Sequence, residues 1–456
     1  GAISINIGGG NAVGVSAVID QIETFVSASI AGATVTADNT LGNGSALIGN
    51  NLPTGSVRVY GSSSADIISV AVGAAGSRGN APASAQQNLS RIVGLLRPTA
   101  PSSLTGFGGG GVTPPTPPGA PVAPDVPASD GISGSASIAI STESTSVYSG
   151  ITKGGNNTGS SVTANGSVVV GAANADDIST YAGAISVSIN SGKGLGASIV
   201  VNTINGTTSA DISDSTVNAH GNGGAASIDN STLANAVDPS DDYTPASNPD
   251  LSNGTTTIKG VAVYASSRQT ADTVAAVLSA SNQGTAIAAN TITNVMGGTT
   301  QATIQSANIN KNLLSGETSA VRVGASSASY ANNLDVGAAG SSQGAAGTIV
   351  LVINTMNRTT TAKIDTTDIG SSSVSAGQVT VLANALQGTT GVAVGAALSG
   401  NSAAGTGSSL VNLFQSTTTA SLDHGTVYAN ALSVEANGNN GFFAAVGSGA
   451  IGSSAG

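Results

Sequence analysis

The sequence predicts an all-β chain wound as a right-handed parallel β-helix (β-solenoid), with two insertions projecting from its side. Three observations lead there. A block recurs along the chain: Val261, Val321, Val379 and Leu432 are spaced by 60, 58 and 53 residues, and Ile304, Ile364 and Leu422 by 60 and 58. A fixed period of this size marks a stacked repeat architecture. The runs inside each block alternate apolar with small polar residues, the two-residue period of a strand, and no helical period is sustained in the repeats. The composition fits as well. Of 456 residues only 8% are charged and 3% aromatic, with no Trp, while 39% are hydrophobic. Val, Ile and Ala fill a narrow core but not a wide one. Disorder would require lower hydrophobicity and higher charge.

Each unit opens on a Thr-rich strand, clearest in TTSADISDSTV (Thr207 to Val217), TTQATIQSANI (Thr299 to Ile309), TTTAKIDTTDI (Thr359 to Ile369) and TTTASLDHGTV (Thr417 to Val427). A second strand follows: VAVYAS from Val261, VRVGAS from Val321, VTVLAN from Val379 and LSVEAN from Leu432. An Ala/Gly-rich strand closes the unit. Earlier copies near Thr24, Thr145, Val57 and Val168 bring the units to six. Ile304, Ile364, Val321, Val379 and Val381 are expected in the core. A unit this long is expected to hold three coils of about 20 residues, each adding about 4.8 Å, for a rod of about 90 Å. Its end strands would offer unpaired edges, and the sequence shows no helix to cap them. The chain starts and stops in mid-repeat, so it reads as a cut from a longer protein or as a body open for stacking.

Two segments break the period, dividing the chain into repeats at 1–78, an insertion at 79–130, and repeats at 131–456 with a loop insertion at 221–254. The first insertion, Gly79 to Asp130, holds ten of the 14 prolines. Its TPPTPPGAPVAPDVP run (Thr113 to Pro127) is expected to be extended polyproline II. Upstream, Leu89, Ile92, Val93 and Leu96 fall at helical spacing within QQNLSRIVGLLR, a short amphipathic helix and a candidate interaction surface. It would lie across its own rod or on a neighbouring copy. The second insertion carries the acidic run DPSDDYTPASNPD (Asp238 to Asp250).

Candidate chemistry is sparse. The acid clusters are Asp176–Asp177, Asp211 with Asp214, and Asp238 with Asp241–Asp242. A β-helix polysaccharide lyase would need such acids beside Arg or Lys, and none of the 12 basic residues forms an evident cluster with them. Solvated turn aspartates are therefore favoured over acid/base catalysts. The acidic loop is favoured as an ordinary exposed loop over a weak Ca²⁺ site, since the nonapeptide and EF-hand patterns are absent. His220 and His424 read as turn residues, because two His without Cys make no recognised zinc site. GKGLG (Gly192 to Gly196) lacks the phosphate-loop pattern and reads as a turn. Asn202, Asn290, Asn354 and Asn412 recur in N-T-I-N-like contexts and are read as structural turn residues, because Asn tolerates left-handed backbone. Thr rows on a flat solenoid face are what ice-binding surfaces look like. Runs recurring every unit rather than every coil do not imply a continuous row. No catalytic, metal or cofactor site is assigned.

The pattern A-x-I-x-x-S-x-V, V-x-V-x-A, A-V-G-A-A and V-N-x-I-N resembles the repeat regions of bacterial large exoproteins, the filamentous-haemagglutinin-like adhesins of two-partner secretion. It covers nearly all the chain outside the insertions. The resemblance implies a right-handed β-helix shaft, an extracellular or bacterial cell-surface location, and adhesion. Expected partners are then further copies of the chain in a fibre, and a host-cell, matrix or carbohydrate receptor. The alternative function is a β-helix carbohydrate-active enzyme. With a net charge of −11 and no basic patch, nucleic-acid binding is not expected. No apolar run reaches membrane-spanning length.

Overall fold

The computed structural model describes residues 2–8, 11–38, 54–77, 131–189, 192–222, 225–230 and 254–453. Leu89, Ile92, Val93, Leu96 and the acidic run 238–250 lie outside them. The described residues contain strands and no helix. The first turn of the chain runs β1 (Ala2–Gly8), β2 (Ala12–Ala31) and β3 (Thr34–Ala37), and the second β4 (Val57–Ser77), β5 (Ile132–Thr152) and β6 (Ser161–Ala164). The third runs β7 (Val168–Ser188), β8 (Lys193–Ser213) and β9 (Thr216–Ala219), followed by β10 (Ala226–Asn230) and β11 (Gly254–Ile258). The fourth is β12 (Gly260–Ser281), β13 (Ala286–Gln305) and β14 (Asn308–Ile309), and the fifth β15 (Ala320–Ser341), β16 (Ala346–Asp365) and β17 (Asp368–Ile369). The sixth has β18 (Ala376–Ser399) and β19 (Ala404–Asp423), and β20 (Ala429–Gly452) closes the stack.

These strands form three parallel sheets. The front sheet has the order β1-β4-β7-β12-β15-β18-β20, the back sheet β19-β16-β13-β8-β5-β2, and a narrow third sheet β17-β14-β9-β6-β3. Each coil thus passes from front to back to narrow sheet and returns to the front one rung higher, as a parallel β-helix. The sequence alignment is reproduced residue for residue: Val261 pairs with Val321, Val321 with Val379 and Val379 with Leu432, and Ile304 pairs with Ile364 and Ile364 with Leu422. The blocks on either side of the first insertion belong to one stack, since β4 pairs with β7 and β2 with β5.

One expectation is corrected. Each unit is a single coil, not three. The Thr-rich run and the small-residue run before it make one straight strand of 20 or more residues, as in β13 and β16. Seven front-sheet strands stack to about 29 Å, whereas a strand of that length spans about 65 Å. The body is therefore broad and flat, not a slender 90 Å rod. Gly297–Gly298, which would break an isolated strand, are carried through β13 by ladder bonds to both neighbours.

Corners repeat with the coil. Directly after β8, β13, β16 and β19 stands one residue with left-handed backbone: Asp214 (φ 48°), Ser306 (51°), Thr366 (50°) and His424 (44°). Between front and back sheets, Ser281 Oγ accepts from the Gly284 N–H (2.9 Å) and donates to the Gly192 carbonyl one coil down (2.5 Å). Ser341 does the same with Gly344 (2.8 Å) and Gly284 (2.7 Å). Only glycine fits there, because a Cβ on Gly284 would sit 2.1 Å from the Gly192 carbonyl oxygen.

The apolar core lies where the three sheets converge. Ile212, Ile304, Ile364, Val263, Val323 and Val381 are at most 1% exposed and stack with their own kind in every coil. Each such side chain contributes about 1.5–3 kcal/mol. The flanks of the second insertion pair antiparallel as the β10–β11 hairpin. It lies on the outer face of the front sheet, with Ala226, Ile228 and Ile258 over Val169, Ala262 and Tyr264.

Candidate interaction surface

The acids singled out by sequence fall in three different settings. Asp176 points inward and is 0% exposed, in a row with Ala65, Gln269, Ser329 and Gln387. It accepts from Thr145 Oγ1 (3.1 Å) and Asn174 Nδ2 (2.6 Å). Beside it lies Glu143, also 0% exposed, in a row otherwise held by Ile22, Ile204, Met296 and Met356. No donor from elsewhere in the chain reaches the Glu143 carboxyl oxygens, and its hydrogen-bond partner is the Asp176 carboxylate. Burial, and then the Asp176 charge, push its pKa up to about 9, so Glu143 carries a proton at neutral pH. Arg358 is buried two coils beyond Asp176, in the fifth coil. Its guanidinium donates to Ser267 Oγ (2.7 Å), Thr300 Oγ1 (3.2 Å) and the Gly297 carbonyl (3.2 Å). Gly298, next in its row with φ 137°, has no side chain to obstruct that reach. Burial lowers the Arg358 pKa to about 10, which leaves it charged, and Asp176 is the acid that favours that charge. Farther along, Asp335 is fully buried and pushed up to about 7 by desolvation.

The other described acids of the three clusters are outside the core and partnered. Asp177 pairs with Arg268 at 2.7 Å and Asp214 with Lys153 at 3.1 Å, so basic residues do accompany these acids, brought in from other coils. Asp211 accepts from Thr303 Oγ1 at 2.8 Å, and burial raises its pKa. Asp238, Asp241 and Asp242 lie outside the described residues. His220, after β9, contacts Glu317 at 2.7 Å. Burial pushes Glu317 up, but bonds from His220, the Leu314 N–H and Asn222 outweigh it and hold the carboxyl below its ordinary value. His424 sits at the left-handed corner after β19. Gly192–Gly196 are not a turn: Lys193 begins β8. Among the described residues no group of three or more His, Cys, Asp or Glu could hold a metal ion, and no helix is long and apolar enough to cross a membrane.

The asparagines are not turn residues. Asn202, Asn290, Asn354 and Asn412 all lie inside long strands. Asn202, Asn294, Asn354 and Asn412 form one inward row. Asn202 Nδ2 donates to Asn294 Oδ1 (2.9 Å), Asn294 to Asn354 (3.0 Å) and Asn354 to Asn412 (2.8 Å). Thr180, Thr273 and Asn333 of the front sheet join the same spine. Asn290 is in a different row and donates to the Val336 carbonyl at 2.7 Å. The row member missed in sequence is Asn294; N-T-I-T-N offers two asparagines, and only the ladder register chooses between them. Stacked amides satisfy each other once per rung, which overrides the turn preference of an isolated Asn.

The outer face of the back sheet divides into two halves. Because the unit is one coil, the Thr runs of neighbouring units do line up: Thr207, Thr299, Thr359 and Thr417 form a continuous outward row, contrary to the expectation from a three-coil unit. The next row mixes Ser209, Gln301, Thr361 and Thr419, and the one after carries Asp211 and Lys363. It is a single Thr rank, not a two-dimensional Thr array. The other half, nearer the front sheet, is apolar. Val13 (59%), Val15 (55%), Leu195 (39%), Ile287 (42%) and Ile349 (62%) are exposed there around a shallow groove. No outward residue of this half is charged: its rows begin at Val13–Leu195–Ile287 and end at Gln21–Thr203–Val295. Lys193 marks the rim.

No family model, curated protein or solved structure matches this chain.

Proposed function

We propose that the chain is a segment of an extracellular or surface-displayed bacterial fibre or adhesin that works by contact rather than by turnover. One observation carries the reading. Among the described residues a flat, uncharged sheet face is open to contact, whereas the converging acids Glu143 and Asp176 and the cation Arg358 are sealed in the interior. Buried groups that meet each other and not solvent specify register; they cannot meet a substrate. A self-similar ladder in which each coil templates the next suits a load-bearing scaffold, whose stability sums over neighbouring coils. The resemblance to exoprotein repeats points the same way.

The test compares two activities of the purified chain. Incubation with acidic polysaccharides, with and without Ca²⁺, is expected to give no cleavage, while beads coated with the chain adhere saturably to cells, matrix or glycans. Cleavage abolished by changing Asp176–Asp177 or Asp241–Asp242 to the amides would overturn the proposal in favour of a carbohydrate-active enzyme.

A further inference from the structure

We infer that the uncharged half of the back sheet's outer face is a self-association surface, whose occupant is the same face of a second copy of this chain. The inference stands apart from the adhesive reading, since a catalytic chain would carry the same exposed face.

Size is the first argument. Six strands span about 24 Å and five outward residues along each span about 27 Å. The flat footprint of about 650 Å² approaches the roughly 800 Å² that each partner buries in a standard stable interface. An uncharged, largely apolar patch of this size on a water-exposed surface marks an interaction site.

Chemistry selects the occupant. A lipid-facing surface is normally edged by Trp, Tyr, Lys or Arg that settle among headgroups. This half has none in its rows and a single Lys, Lys193, at its rim, and the chain as a whole carries −11. A second copy suits it better, because only Lys193 and Glu23 stand at its rims while the paired charges Lys153, Asp214, Lys363 and Asp365 lie at the far corner by the narrow sheet.

Shape then fits a two-fold partner. One outward row reads Val15, Ala136, Ala197, Ala289, Ile349 and Gly407 from first coil to sixth. A two-fold axis parallel to the strands reverses the coil order of the mate. Val15 then opposes Gly407, Ala136 opposes Ile349, and Ala197 opposes Ala289. Along this row Val15 and Ile349 each meet a small residue and Ala197 meets Ala289, so the two faces approach without a clash, and sheet twist splays the polar halves apart.

The experiment uses the whole chain. Sedimentation equilibrium at tens of micromolar is expected to give a dimer. Leu195→Glu with Ile349→Glu puts charges into the contact from outward positions that leave the core alone, and should weaken association by at least about a hundredfold. Asn156→Asp at the narrow corner should leave it unchanged. Because the chain has no Cys, one Ala197→Cys copy mixed with one Ala289→Cys copy should form a disulfide-linked heterodimer, a readout that survives if the Glu variant misfolds. Three results would overturn the inference. They are a monomer whose Ala197→Cys thiol labels freely, a monomer whose thiol is shielded by cover from within the same chain, and a dimer-free protein that binds neutral phosphatidylcholine vesicles through this face.

Discussion

Where the three sheets converge, the interior of every coil is Val, Ile and Ala; where front and back sheets face each other directly, mid-strand rows carry Asn, Thr, Glu, Asp and Arg. Both regions are equally buried, so burial alone does not choose the residue type. The difference lies in what each must specify. At the narrow corner short strands and left-handed turns already fix the chain path, and apolar fill supplies driving force. Along strands of 20 residues the backbone ladder is degenerate to a shift of two residues, which keeps every side chain on its own face. The Asn spine and the Arg358 site remove that degeneracy, because a slipped strand would set Asn against Ile and leave amides unpaired. The apolar corner is thus chiefly a source of stability, and the polar midsection chiefly a source of register.

The sharpest way to break this comparison is to place a charge in the apolar corner. Ile364→Asp is expected to cost about 4 kcal/mol or more, since nothing there can pair a carboxylate. Urea unfolding should show the loss, and limited proteolysis should cut in the fourth to sixth coils first. Arg358→Met comes next, at about 2–3 kcal/mol, because it removes the cation that favours the buried Asp176 charge, with no ion pair joining the two, and takes charged donors from Ser267, Thr300 and Gly297. Adding Asp176→Asn should recover much of the loss. A double variant no better than the single one would mean that Arg358 acts only through its bonds to Ser267, Thr300 and Gly297. Asn294→Ala, at the centre of the spine, should cost about 1–3 kcal/mol by taking one partner each from the amides of Asn202 and Asn354, which keep Thr273 and Asn333.

The buried acids give the midsection a pH signature that the apolar corner lacks. Glu143 has its folded pKa raised from 4.5 to about 9, and Asp335 from 3.8 to about 7, both chiefly by burial. For an acid raised on folding, the unfolded chain gives up its proton first as pH climbs. Stability is then greatest below the unfolded value and is lost between the two. Between pH 5 and 8 the chain should become less stable with rising pH, by up to about 1.4 kcal/mol per pH unit for each group still protonated when folded. Urea midpoints across this window check the sign. Glu143→Gln should flatten the slope, and Asp335→Asn should flatten only the part below pH 7.

The sequence carried the period, the alignment and the core. Ile304, Ile364, Val321, Val379 and Val381 are all at most 1% exposed, because like residues stack on like in a ladder and the repeat records the stacking directly. Coil length was illegible for a physical reason. Strands are ordinarily 3–10 residues long, and interior Gly and Asn read as breaks. In a stack those residues are held from both sides, so 20-residue strands survive them. Glu143 and Arg358 were hidden for the converse reason. Each is a single departure from its row, visible only once register shows what stands above and below it. The uncharged face was present in the sequence as the outward set Val13, Leu195 and Ile287, but two strand faces cannot be assigned inside and outside until the coil is closed.

The smallest effect separates inside from outside within one dipeptide. Thr359 and Thr360 are neighbours on β16 with the same side chain. Thr359 belongs to the outward Thr row, while Thr360 is 0% exposed and its Oγ1 lies 2.6 Å from Ser327 Oγ. Thr360→Ala should cost about 1 kcal/mol, because the Ser327 hydroxyl loses its partner in the interior. Thr359→Ala should stay within about 0.5 kcal/mol of wild type, as outward substitutions away from special contacts do. Parallel urea titrations of the two variants measure the gap. Equal losses would mean that the outward row bears structural load of its own, and the division between a register-fixing interior and a contact-making exterior would have to be redrawn at the back sheet.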